Sequence, residues 1–147
     1  MYKLIKSIPV GILSTLALLV VAYFSLDADP LGDNDFLLFE GSDKVAHFLL
    51  YFCTACAFIL DYAKFKIPHH TKLNLELMFT CCAMILGLLM EVGQLLLSNG
   101  RTYDTMDLVA NCLGAAAGFG YMHVWGLHSF RRVAVHSRRH HRHHHRH

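Results

Sequence analysis

The sequence predicts an all-α fold, a four-helix transmembrane bundle with both termini in the cytoplasm. Three observations lead there. Hydrophobic residues make up 54% of the 147 and charged residues 16%, well below the roughly one quarter charged that is usual in a soluble domain. Four apolar runs, Ile8 to Leu26, Val45 to about Tyr62, Leu75 to Leu97 and Leu108 to about Leu127, each approach the roughly 20 residues that a helix rising 1.5 Å per residue needs to cross hydrocarbon. Lys and Arg are the third sign. With the N-terminus inside, Lys3, Lys6, Lys64, Lys66, Lys72 and the arginines from Arg131 onward lie on the cytoplasmic side, and only Lys44 and Arg101 lie outside. That asymmetry is the positive-inside pattern.

The first run follows Lys3 and Lys6 and so also resembles a signal peptide, but it is long and has no small-x-small cleavage site before Asp27. An uncleaved anchor is the preferred reading. Pro9 is placed in the first turn of that helix, where its missing N–H costs little. The segment from Asp27 to Asp43 carries six acidic residues and forms the first outer loop. Residues 1–128 are thus one four-span domain, and residues 129–147 a basic, His/Arg-rich tail expected to be disordered in the cytoplasm and to touch anionic lipid. Histidines in such a tail bind metals adventitiously.

Polar residues within the spans fall in three islands, Asp43-Lys44-x-x-His47, Glu91-x-x-Gln94 and Arg101-x-x-Asp104-x-x-Asp107-x-x-x-Asn111. Alternating spans bring all three to the outer side at one depth. Polar groups at membrane depth are costly and mark a functional site by default. Asp43, His47 and Tyr51 are four apart on one helix face, and Glu91 and Gln94 are three apart near the outer end of the third span. Asp104, Asp107, Asn111, Gly114 and Gly118 form one stripe of the fourth. Gly114 and Gly118 are assigned to close helix packing through a small-x-x-x-small surface.

The cysteines Cys53, Cys56, Cys81, Cys82 and Cys112 all lie inside spans. There they are read as small apolar residues, the Cys53-x-x-Cys56 spacing notwithstanding.

Three chemistries fit the islands. Asp43, His47, Glu91, Asp104 and Asp107 carry groups suited to a divalent metal or to acid–base hydrolysis of a lipid-linked substrate. Against catalysis, no Ser or Cys nucleophile is paired with a base, and no compact metal signature such as H-E-x-x-H occurs. The reading therefore leans away from an enzyme and assigns no cofactor and no resident metal. A binding site asks less: Lys44 and Arg101 offer cations to phosphate or carboxylate, while His47, Glu91 and Asp107 orient them or accept from sugar hydroxyls. The third option is structural. Asp43 and Asp104 then serve as helix N-caps, Asp107 favours the first turn, and the rest hydrogen-bonds between helices.

The strings DKVAHFLLY, EVGQ and RTYDTMDLVANCLGAAAG, in this order and on these spans, resemble the VanZ-like family of small bacterial membrane proteins, named after a teicoplanin-resistance protein. The resemblance covers roughly Asp43 to Gly118 and rests on Asp43, Lys44, His47, Glu91, Gln94, Arg101, Asp107, Asn111 and Gly114. It implies a multi-pass protein of the bacterial cytoplasmic membrane with a role in the cell envelope and in susceptibility to lipoglycopeptides such as teicoplanin. The partners expected are membrane lipids and a polyprenyl-phosphate or peptidoglycan-precursor headgroup, with no nucleic acid; the alternative is a membrane assembly protein whose polar cluster is structural.

Overall fold

The computed structural model describes residues 7–26, 41–66, 72–97 and 104–128. Arg101, the loop residues 27–40, the pair His69 and His70, and the tail 129–147 lie outside the described residues. Among those described there are four helices and no strand: α1 (Ile12–Leu26), α2 (Ser42–Lys66), α3 (Leu73–Leu97) and α4 (Thr105–Tyr121), the last running into a π-helical turn, Met122–Gly126. The α2 and α3 helices are long and apolar enough to cross a membrane. With 15 residues, α1 is shorter than its apolar run, about 22 Å at 1.5 Å per residue.

The start of α1 corrects the sequence reading. Gly11 adopts a left-handed φ of 94°, which glycine enters without a Cβ clash. The helix begins beyond it, so Pro9 lies ahead of α1 and not in its first turn, and its carbonyl accepts from the Ile12 amide at 3.4 Å. A second left-handed glycine, Gly41 at φ 90°, precedes α2 and accepts from the amides of Lys44 and Val45. Asp104 caps α4, accepting from the Met106 amide at 2.8 Å, as its residue type and place suggest.

Side-chain pairs fix the directions. Ser14, at the start of α1, meets Asp61 near the end of α2, and Lys44, at the start of α2, meets Asp104 at the start of α4. Glu76, at the start of α3, meets His123 beyond the end of α4. The helices therefore run up, down, up and down. Helix α2 touches all three others and packs most closely on α4.

Small residues make that closeness possible. A Cβ on Gly114 would collide with the Phe48 carbonyl, and one on Gly118 would lie 2.6 Å from the Phe52 carbonyl oxygen. The assignment of both glycines to helix packing thus rests on backbone contact one turn apart. At mid-height Ala55, Ala83 and Ala115 form a buried cluster joining α2, α3 and α4. A second cluster, Ile59, Ala63, Met122 and Leu127, lies toward the other end.

The cysteines behave as small apolar residues. All five are free thiols, with Cys53, Cys81 and Cys82 exposed. Cys56 sits beside the Gly118 carbonyl at 3.7 Å.

Candidate functional site

The starts of α2 and α4 and the last turns of α1 and α3 meet at one end of the bundle. Eight of the nine residues predicted for the site lie at that end, and seven of them form one contact set. The Lys44 ammonium donates to Asp104 at 2.8 Å and to Asp43 and Asp107 at 3.1 Å each. It thereby joins the first turns of two parallel helices, where carboxylates are already favoured by the helix dipole. This ammonium holds Asp104 below the usual carboxylate range, assisted by the Met106 amide.

Beneath that rim the groups grow more buried. The side chains of Asp43 and Asp104 are 47% and 43% exposed, those of Asp107 and His47 14% and 11%. Glu91 and Asn111 are buried altogether. His47 Nδ1 lies 3.0 Å from Asn111 Oδ1, and Asn111 Nδ2 donates to Glu91 Oε1 at 3.4 Å. His47 Nε2 faces Asp107 Oδ2 at 4.0 Å, beyond hydrogen-bond range. Gly87 makes room for this layer: a Cβ there would stand 3.1 Å from Asn111 Cβ and 3.2 Å from the Tyr51 ring. The Tyr51 hydroxyl is enclosed beside Ser25 and Glu91.

Two predicted residues are not part of this contact set. Gln94 donates to the Ser25 carbonyl at 2.6 Å, so it satisfies one of the orphan carbonyls at the end of α1. Arg101 lies outside the described residues. The role given to Lys44 also changes, because an ammonium held by three carboxylates is already neutralised. Asp43 is within the first turn of α2 and is not its N-cap; Asp104 and Asp107 stand where the structural reading put them.

The sequence reading missed a second polar layer at the opposite end, so polar groups within the spans are not confined to three islands. Asp61 Oδ2 accepts from the Ser14 amide and hydroxyl at 2.8 and 2.7 Å, and its Oδ1 accepts from Lys64 at 3.0 Å. The carboxylate of α2 therefore caps the N-terminus of α1. Glu76, buried, pairs with His123 Nδ1 at 2.8 Å. The spacing of Asp61 and Lys64, three apart, and the lone acid inside an apolar run at Glu76 were the available signals.

A family model described as VanZ/LLP1 matches residues 6–126 of the chain. No curated protein and no solved structure matches it.

Proposed function

The chain belongs to the VanZ/LLP1 family, and from that premise we propose a multi-pass protein of the bacterial cytoplasmic membrane, both termini cytoplasmic, whose outer polar layer binds the head of a lipid-linked envelope molecule. The distribution of side chains supports the membrane part. Large apolar residues such as Leu19, Leu89, Leu96, Leu113 and Trp125 face outward, whereas Thr54, Thr80, Glu91, Gln94 and Asn111 are buried. In lipid, bundles are held by small residues and interhelical hydrogen bonds, because outward apolar surface costs nothing there. Four spans extend this from α2 and α3 to α1 and to α4 with its π-helical turn.

The observation that carries the binding reading is the gradient of exposure from Asp43 and Asp104 through Asp107 and His47 to Glu91 and Asn111. It is a polar path leading from the bundle end into the interior. Carboxylates accept hydrogen bonds, so sugar hydroxyls, amides and amines of a peptidoglycan-precursor or polyprenyl-linked head pair with them directly. Phosphate on such a lipid needs a cation, from Arg101 or from a bound ion. The acyl or prenyl chain would lie along the apolar exterior.

A test is the phenotype of overexpression. Asp107→Asn and Arg101→Gln should restore teicoplanin susceptibility to that of cells lacking the protein, while leaving membrane insertion and amount unchanged. Full phenotype in both variants would end the binding reading. For orientation, single cysteines at Asn34 and Asn99 in a cysteine-free variant should react with an impermeant thiol reagent in intact cells, and one at His70 should not.

The structural reading has its own support: Asp43, Lys44, Asp104 and Asp107 already satisfy one another. Under it, Asp107→Asn keeps both stability and phenotype.

A further inference from the structure

We propose that His47, Glu91 and Asp107 form a site for a divalent transition-metal cation, the role of which, bridging to the phosphate of a lipid head, rests on the headgroup reading above. The three residues come from α2, α3 and α4, and one ligand atom from each lies within 4.8 Å of the others. Three ligands each about 2.1 Å from a cation lie about 3.0 to 3.6 Å from one another. Sub-ångström side-chain movement closes the difference.

Hydrogen-bond logic fixes which atoms face the gap. The Asn111 amide nitrogen donates to Glu91 Oε1 at 3.4 Å. The Asn111 carbonyl therefore faces His47 Nδ1 at 3.0 Å, and Nδ1 must carry the proton. Nε2 is then the ring nitrogen that faces Asp107 Oδ2, 4.0 Å away. The gap is too wide for a hydrogen bond and is lined by an imidazole nitrogen and a carboxylate oxygen, both ligands for transition-metal cations. Such a gap is stabilised by a positive occupant.

Each ligand is also held from behind, as metal ligands are. Asn111 orients both His47 and Glu91. Lys44 takes Asp107 Oδ1 at 3.1 Å, leaving Oδ2 to face His47. The neighbouring trio Asp43, Asp104 and Asp107 has comparable spacing, but the Lys44 ammonium contacts all three carboxylates and fills the place of an ion. One imidazole with two carboxylates suits Mn²⁺ through Zn²⁺ rather than Ca²⁺ or Mg²⁺.

The experiment uses the full chain in detergent, stripped with EDTA and titrated with Mn²⁺ under electron paramagnetic resonance. Tail histidines are present in every sample, so only differences between variants are read. Wild type should bind one Mn²⁺ at least tenfold more tightly than Glu91→Gln or His47→Gln, with a directly coordinated imidazole nitrogen signal that His47→Gln loses. Equal Mn²⁺ affinity in wild type and both variants would overturn the site, as would folded wild type that binds no Mn²⁺ at millimolar concentration. Should Glu91→Gln fail to fold, judged by thermal unfolding in EDTA, Asp107→Asn takes its place with the same expected loss. Polyprenyl phosphate in micelles separates the two readings: Mn²⁺ binding lost in the variants, with no polyprenyl phosphate bound in either Mn²⁺ or EDTA, keeps the cation site and removes the headgroup.

Discussion

The two ends of the bundle handle buried charge in opposite ways. At the end where α1 starts, each carboxylate has its own partners, Lys64 and the capped helix terminus for Asp61, His123 for Glu76. At the other end Asp43, Asp104 and Asp107 share one ammonium, Lys44, and beneath them His47, Asn111 and Glu91 are linked in a chain of side-chain contacts. A closed set of pairs is what helix termination needs. Three carboxylates around one ammonium leave room for further positive charge or hydrogen-bond donors, and that contrast of shared with paired charge distinguishes the two ends.

The largest effect should come from the contact both ends depend on. Gly114→Leu forces a side chain into the Phe48 backbone and should cost about 3 kcal/mol or more, read as loss of folded protein in thermal unfolding. Gly120→Ala, where a Cβ meets nothing within 4 Å, is the matched control and should keep or slightly raise the midpoint, alanine being the better helix former. Next is Asp61→Asn at the closed end. It leaves Lys64, 5% exposed, without a counter-charge, and should destabilise by about 3 kcal/mol, since breaking a buried pair strands its partner. A loss below about 0.5 kcal/mol would mean that this end is not closed in the sense argued here. Glu76→Gln should cost less, about 1 kcal/mol, because His123 is half-exposed and is rescued by water. Denaturant unfolding of the two variants ranks them directly.

Much of this was legible. The four helices, the Asp104 cap, the glycine contact and the meeting of His47, Glu91 and Asp107 all follow from apolar run length and helical spacing. Spacing says which residues share a face, and alternating spans say which ends meet. What stayed hidden depended on partners distant in the chain. Asp61 reads as an ordinary helix end until Ser14, 47 residues away, is seen donating to it. The cation geometry is hidden for the same reason: its three ligands sit on three helices, so no compact signature announces them. Gln94 shared a face with Glu91 in the pattern, but only the placement of α1 turns it toward the Ser25 carbonyl. The start of α1 was missed because hydropathy does not register the left-handed Gly11.

The central claim, that three carboxylates share one ammonium at the α2–α4 start whereas each carboxylate has its own partners at the other end, is tested most directly by thermal unfolding of Asp43→Asn in EDTA beside Asp61→Asn. Asparagine at Asp43 leaves Lys44 with Asp104 and Asp107, so the midpoint of Asp43→Asn should stay about the same while that of Asp61→Asn falls. A fall in Asp43→Asn as deep as in Asp61→Asn would show that the two ends pair their charge alike and contradict the account.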